Sequence, residues 1–454
     1  MSKKWTVHIA NAQPLHGQHT VLIHSTTLKA WKLPEQVQLQ FGSERLPVSV
    51  QSTKGTKGIT LSASLAQTLG LHQGMTICGK YLPASRTLRL GPLVAVMMSR
   101  TYSSAEQRPF ASNTAFCEEL TEAMRMMGGI IYFITPRDID SKKSTLQGRY
   151  FQHGWKQGSF PLPDVVYNRL TSRKYENLAK VQQFMNEIKQ QPGRFLFNER
   201  YLDKTDVFAA LNQDPAIRKY LPESHLYQNY DMLKRMLQRH ATVFIKPISG
   251  SLGKGILRID RQAGGTYVCQ SAGLSRTRRS HFTSLKKCYQ SLSGKLSSRK
   301  YQIQQGVTLI QASGRPIDFR AVVQKNQAGK WSVTSIVARI SGNDSIVSNL
   351  ARGGTLSRVK EALLKSNLSA ALSKEKMRAR LQRASVDIAA ALEKQLSEHY
   401  AEFGIDLAME PSGRVWLIEV NTKPSKNDNT PLTEGKIRPS VRKCVQYIHY
   451  LTNE

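Results

Sequence analysis

The sequence predicts an α/β (α+β) protein of three parts, and three observations carry that reading. Residues 1–91 hold short alternating strands between turn residues, a small β-rich domain. Residues 92–200 alternate continuous apolar strands with amphipathic helices, an α/β layer. Residues 201–454 hold two apolar hairpins, one tipped with glycines and one carrying polar oxygen ligands on a single face. A length of 454 residues suits about three domains.

In the first part, Val21-Leu-Ile, Val37-Gln-Leu-Gln-Phe and Leu46-Pro-Val-Ser-Val alternate as half-buried strands do. Leu61 to Leu71 reads as one helix with a glycine stop at Gly70. His8, His16, His19 and His24 are joined by no carboxylate or cysteine, so they read as satisfied or exposed side chains rather than ligands. At Leu90-Gly-Pro-Leu-Val-Ala-Val-Met-Met the texture becomes that of a strand covered on both faces. A helix over Thr114–Met127, the strand Ile130–Ile134, the strand Val165-Val-Tyr-Asn168-Arg169, a helix over 174–190 and the strand Phe195-Leu-Phe-Asn follow. Arg169 either faces a cleft or solvates its strand end.

The third part opens with a helix running from Leu202-Asp-Lys204-Thr-Asp206 to Leu211 and an amphipathic helix over Asp231–His240. The strand Thr242-Val-Phe-Ile-Lys246-Pro247 then leads into Ser249-Gly250-Ser-Leu-Gly253-Lys254-Gly255, and Ile256-Leu257 resumes the strand. Strand–loop–strand excludes the dinucleotide fingerprint, which needs a helix after its glycines. Walker A is excluded because Ile248 sits where its first glycine belongs and no Ser or Thr follows Lys254. What remains is a hairpin whose glycines can take positive φ and aim N–H groups at an anion, with Lys246 at its base. An ordinary hairpin with a flexible tip fits the segment equally well.

Ser271 to Lys300 is the most basic stretch. Phe282, Leu285, Tyr289 and Leu292 recur at helical spacing, and no stacking aromatics interleave with the arginines, so a solvated basic face fits better than a nucleic-acid patch. Tyr301-Gln-Ile-Gln304-Gln305-Gly306-Val307 is a strand with a glycine break. Ile317-Asp318-Phe319-Arg320 puts Asp318 and Arg320 on one face and Phe319 inward, with Asp318 placed to orient Arg320 or to form an exposed pair with it. Trp331 to Ile340, including Arg339, continues the same sheet, and Ser373 to Phe403 reads as a long core helix. In Gly404-Ile-Asp406 … Glu419-Val-Asn421, joined by Pro411-Ser-Gly413, Glu419 and Asn421 share a face, Val420 points inward and Asp406 lies across the hairpin. Three oxygen ligands on one face suit Mg²⁺ that also holds substrate phosphates. Val441 to Leu451 is an amphipathic helix.

From about Leu93 onward, the ordered set resembles the ATP-grasp superfamily, and within it the YheC/YheD family of endospore coat-associated proteins. Its pieces are Phe-Ile-Lys246-Pro with the glycine loop, Ile303-Gln304-Gln305-Gly306-Val307, Asp318-Phe-Arg320, Arg339, Ser348-Asn349-Leu-Ala-Arg-Gly353-Gly354 and Glu419-Val-Asn421-Thr-Lys-Pro424. The resemblance implies an ATP-grasp fold preceded by a pre-ATP-grasp domain, with ATP and Mg²⁺ as cofactors. It implies catalytic roles for Lys246, Arg320, Arg339 and Asn349. It implies nucleotide contacts at Lys204, Lys246, Ser249, Gly250, Gly253, Lys254, Gly255, Gln304, Gln305, Val307 and Asp318, and metal ligation by Asp406, Glu419 and Asn421. Gln304 and Gln305 depart from the glutamate common at this hinge, and no glycine follows Pro424 as in many relatives.

The activity so implied is ATP-dependent ligation of an unidentified carboxylate to an amine or other nucleophile through an acyl phosphate. The alternative is a non-catalytic coat protein that adheres to acidic spore layers. Both accommodate a formal charge of +33, from 65 Lys and Arg against 32 Asp and Glu, which attracts polyanions without specifying one. Charge alone does not make a specific nucleic-acid binder. Five scattered cysteines without a CxxC pair read as reduced bystanders. No run is long and apolar enough for a membrane span, and the first residues lack an apolar signal segment, which predicts cytoplasmic synthesis.

Overall fold

The computed structural model describes residues 2–10, 19–55, 58–102, 107–140, 143–248, 255–272, 277–342, 354–426 and 436–453. Strands β1 (Ser2–Ile9), β2 (Thr20–His24), β3 (Gln36–Phe41), β4 (Glu44–Thr53), β5 (Ile59–Leu61), β6 (Thr76–Leu82) and β7 (Thr87–Leu90) close a barrel in the order β1-β5-β2-β4-β3-β7-β6. Alternation drives closure: Val37, Leu39 and Phe41 point into the core while Gln36 and Gln38 face solvent. Helix α2 (Ala63–Leu69) ends at Gly70, whose φ of 63° is the left-handed cap the sequence suggested. A second helix, α1 (Ser25–Trp31), was not expected, because Ser25-Thr-Thr is a poor helical run. It starts because the imidazole of His24 accepts from the Thr26 N–H at 3.3 Å.

The second sheet runs β11-β10-β9-β8-β12-β13, built from β8 (Leu93–Met97), β9 (Ile130–Ile134), β10 (Thr145–Phe151), β11 (Trp155–Pro161), β12 (Val165–Asn168) and β13 (Phe195–Phe197). Strands β9, β8, β12 and β13 are parallel, while the β10–β11 hairpin, too glycine-rich and polar to stand out in the sequence, adds an antiparallel edge. Leu93, Ala95, Met97, Tyr132 and Ile134 continue the barrel core. The opposite face, with Val94, Val96, Ile131, Phe133 and Tyr167, is covered by α3 (Thr114–Met127) and by a helix from near the far end of the sequence. The helix expected over 174–190 is two, α4 (Arg173–Glu176) and α5 (Ala179–Gln190), because Leu178 is extended between them.

After α6 (Lys204–Asn212), a third sheet runs β14-β19-β15-β16-β17-β18, from β14 (Ser224–Leu226), β15 (Thr242–Pro247), β16 (Leu257–Arg261), β17 (Tyr267–Ala272), β18 (Thr277–Phe282) and β19 (Tyr301–Gln305). Helices α7 (Tyr230–Arg239) and α8 (Leu285–Ser297) cover one face, packing Leu233, Leu237 and Leu292 against Val243, Ile245 and Ile303. Phe282 ends strand β18 rather than opening the basic helix. That helix starts after Ser284, whose hydroxyl accepts from the Lys287 N–H at 3.3 Å.

The fourth sheet, β23-β22-β21-β24-β25, consists of β21 (Arg315–Lys325), β22 (Trp331–Ile340), β23 (Thr355–Arg358), β24 (Glu402–Met409) and β25 (Val415–Asn421), with the short β20 (Gln311–Ala312) beside β21. It packs on α6, α9 (Val359–Leu364) and α10 (Lys374–Gln395), burying Phe319, Leu381, Ile388, Phe403 and Leu407. The long helix stops at Gln395, not Phe403: Leu396 is extended, and Tyr400 joins the core from outside the helix. The last helix, α11 (Pro439–Asn453), returns to α3 and contributes Val441, Val445, Tyr447 and Ile448 to the core above the second sheet. No described helix is long and apolar enough to cross a membrane.

Candidate functional site

A cleft of about 700 Å³ lies between the third and fourth sheets, lined on one side by Phe244, Lys246 and Arg258 and on the other by Asp318, Arg320 and Glu419. Strand alternation turns Ile245 into the core and Lys246 toward the cleft. There the Lys246 ammonium donates to Gln304 Oε1 on the neighbouring β19, and Gln304 Nε2 donates to Ser224 Oγ at 2.9 Å. Burial, with the nearby Lys204 charge, lowers the Lys246 pKa to about 8. Lys204 opens α6 and reaches Glu419 Oε1 at 3.0 Å.

The fourth sheet supplies an alternating chain of charges. Asp318 stands opposite Arg339 in the β21–β22 ladder, and Arg320 opposite Asp406 in the β21–β24 ladder. Arg339 Nε and Nη2 donate to the two Asp318 oxygens at 2.6 and 2.7 Å, and Nη2 also lies 3.0 Å from Asp406 Oδ2. Arg320 grips Asp406 through Nε and, at 2.9 Å, through Nη2. The expectation that Asp318 orients Arg320 is therefore corrected: Asp318 orients Arg339, and Asp406 orients Arg320. The reason is geometric, since two residues apart on one strand are farther from each other than from their cross-strand partners. Burial alone would raise the Asp406 pKa, but the two guanidinium groups outweigh it and hold the carboxyl below its usual range.

Strand pairing puts Asp406 opposite Glu419, and Gly404 opposite Asn421, so the three expected oxygen ligands do share one side of the hairpin, with Val420 in the core. They are not equivalent. All three line the cleft, but Lys204 takes one Glu419 oxygen, so the other and the Asn421 amide oxygen could meet a hard divalent cation held jointly with phosphates. Both Asp406 oxygens are engaged by guanidinium groups, so this carboxylate fits an ion only by releasing one of them. Among the described residues no group of three His, Cys, Asp or Glu side chains forms a metal cluster.

Gln305 and Val307 line the cleft as expected, but Gln305 Oε1 accepts from the Glu223 N–H at 3.1 Å and the Gln304 amide is spent on Lys246 and Ser224. Gly255 has φ 73°, in keeping with the turn proposed for it. Ser249, Gly250, Gly253, Lys254 and Asn349 lie outside the described residues. Arg169 does not face the cleft: it is buried, 3.3 Å from Glu402. Trp416 and Phe244 also line the cleft and were not foreseen. A register shift at Asp406/Leu407 makes Ile418 an extra residue on β25, so strict alternation backward from Glu419 fails, and Trp416 turns to the cleft.

An antiparallel sheet facing a second sheet that carries Asp406, Glu419 and Asn421 accords with the ATP-grasp class, to which the sequence assigns the fold. Residues 193–451 match the family model described as YheC/D like ATP-grasp, more than half of the chain, and the chain belongs to that family. It is similar to the endospore coat-associated protein YheD of Bacillus subtilis (strain 168), with 29% identity over 370 residues, 81% of this chain and 80% of that protein. YheC of the same organism is 21% identical over 298 residues, 64% of this chain and 80% of that protein. Among solved structures, the ATP-grasp ligase PsnB complexed with minimal precursor aligns with TM-score 0.46 and 12% identity over 79% of this chain and 99% of that one. D-alanyl-alanine synthetase A from Vibrio cholerae aligns with TM-score 0.44 and 11% identity over 80% and 98%.

Proposed function

We propose that this protein binds Mg-ATP in the cleft between the third and fourth sheets and uses it to activate a carboxylate for ligation. The observation that carries the reading is the convergence of four cations, Lys204, Lys246, Arg320 and Arg339, on the cleft that Glu419 and Asn421 also line. Three of them are fixed by Glu419, Asp406 and Asp318 and Lys246 by the Gln304 amide, which leaves one positive charge beyond the three carboxylates and a preset arrangement suited to a polyphosphate. Phe244 and Trp416 offer apolar surface for a base, and the hinge residues Gln305 and Val307 lie beside it.

In this reading Lys246 and Lys204 hold the phosphate oxygens, while Asp406 and Asp318 fix the planes of Arg320 and Arg339 so that both guanidinium groups meet the transferring phosphoryl group without reorganising. Glu419 and Asn421 would hold the magnesium, which would supply charge neutralisation at the phosphates when bound. A substrate carboxylate oxygen attacks the γ-phosphorus, the bond to the ADP oxygen breaks, and an acyl phosphate remains. An amine or other nucleophile then attacks the acyl carbon and expels phosphate. The work of the chain is positioning and electrostatics.

The test is a thermal-shift titration with ATP in magnesium, ATP with chelator, and GTP in magnesium, on wild type and Glu419→Gln. Ligand at about 100 times its Kd adds roughly 2.7 kcal/mol to the folded state. A magnesium-dependent shift lost in Glu419→Gln is the expected result, and no shift with any nucleotide defeats the reading.

The formal charge of +33 favours a second reading, a coat protein that keeps the fold and adheres to acidic layers without turnover. It requires salt-sensitive adhesion that survives Glu419→Gln and no nucleotide-dependent ADP release with any acid.

A further inference from the structure

A second cavity of about 260 Å³ shares Lys204, Glu419, Asn421 and Lys423 with the nucleotide cleft and opens on their other side toward the second sheet. Its remaining wall includes Arg173 and Thr422. Two features of that wall bear on what it could hold. The Thr422 hydroxyl is buried, in a residue only 2% exposed, and has no hydrogen-bond partner among the described residues. An orphaned buried hydroxyl costs stability that a bound acceptor would restore. Arg173 donates through Nη2 to the Leu202 carbonyl at 2.8 Å and forms no ion pair with a carboxylate among the described residues. The other two cations of the cavity are already balanced, Lys204 by Glu419 and Lys423 by Glu176.

We infer that this cavity is the acid subsite of the proposed ligase and takes a small substrate with two anionic groups. The reacting carboxylate lies at the wall shared with the nucleotide cleft. The second anionic group is bound by the Arg173 guanidinium and the Thr422 hydroxyl. The inference rests on the nucleotide reading above and adds the substrate class: a small dicarboxylate or acidic amino acid, since a volume of about 260 Å³ holds a molecule of that size.

The test adds succinate, glutarate, aspartate and glutamate, with propionate as the monoanion control, to the full-length protein loaded with magnesium and a non-hydrolysable ATP analogue. Thermal stability and analogue affinity are both read. At least one dianion is expected to raise the melting temperature beyond the analogue alone. Arg173→Gln should weaken that dianion about tenfold or more, and Thr422→Val by less, with analogue affinity unchanged in both. A wild-type shift with the analogue but with none of the four dianions, or a dianion shift that survives Arg173→Gln, overturns the assignment. Propionate acting as strongly as the dianions overturns it too. Absence of any analogue shift instead defeats the nucleotide reading on which it stands.

Discussion

Arg320 and Asp406 face each other across the β21–β24 ladder, and the guanidinium grips both carboxylate oxygens while Arg339 approaches the same carboxylate from β22. Asp406 is 5% exposed and Arg339 9% exposed, so these charges have left bulk water and are stable there only as a set. Removing one member leaves the others buried and unbalanced.

Asp406→Ala should therefore destabilise the protein by about 3–5 kcal/mol, read as a fall in the urea midpoint with unchanged slope. The carboxyl is held below its ordinary pKa by the two arginines, despite burial that acts the other way. Its contribution is thus full above the unfolded carboxylate value of about 3.9 and is lost as pH falls through the lower folded value. In wild type, stability should decline below about pH 4 more steeply than in Asp406→Asn. Equal acid slopes would show that the cluster contributes nothing to acid sensitivity.

Lys246 should report nucleotide binding through its proton. Burial and the Lys204 charge set its pKa at about 8 in the free protein. Phosphate beside it favours the ammonium and raises that value, so binding takes up a proton in the window above pH 8 and affinity falls as pH rises through it. Calorimetric titration at pH 8.5 in two buffers of different ionisation enthalpy measures the uptake. Lys246→Ala should remove the uptake and weaken Mg-ATP by roughly ten- to a hundredfold.

Two further buried pairs fasten the segment after β25 to the rest of the chain. Lys423 binds Glu176 from α4, and Lys426 binds Glu402, which also accepts from Tyr167 at 2.6 Å and from Asn198 at 3.2 Å. Lys423→Met should cost about 3–5 kcal/mol by stranding Glu176, and the double variant Lys423→Met/Glu176→Leu should recover most of it. A double variant no better than the single would mean the pair itself stabilises, rather than the absence of a lone charge.

Gly306 closes the hinge, where its N–H donates to the Thr242 carbonyl at 2.8 Å. A Cβ there would lie 2.5 Å from Thr242 Cγ2 and 2.8 Å from that same carbonyl oxygen, so backbone must move. Gly306→Ala should cost about 1–3 kcal/mol in thermal unfolding and loosen nucleotide binding, because the displaced strand carries Lys246. A variant as stable as wild type would show that the hinge yields freely.

Much of the site was legible because strand alternation holds where these residues lie: Lys246, Arg320, Glu419 and Asn421 all reach the cleft side, and Phe319 and Val420 go inward. What alternation does not contain is partnership between strands. Asp318 was paired with Arg320 because they are neighbours in sequence, whereas register pairs it with Arg339. Trp416 was missed because one bulge resets the alternation. The β10–β11 hairpin was missed for another reason: Gly148, Gly154 and Gly158 weaken any local signal, and its order comes from Tyr132 and Phe160 stacking at 4.5 Å within the assembled sheet. Helix ends erred where a core residue such as Tyr400 continued the periodicity beyond the helix itself.

Helix α11 has a consequence for how the chain comes off the ribosome. Arg438 holds Glu119 across a sequence separation of 319 residues, and the helix beside it seals Phe116, Leu120 and Phe133 from water. At roughly 5–20 residues per second, α11 is made about 15–60 s after α3. During that interval the second sheet can complete its barrel-side face but not its outer one. A nascent chain stalled before residue 436 should thus expose an apolar face and recruit chaperones, and release of the last helix should end that exposure in a single step.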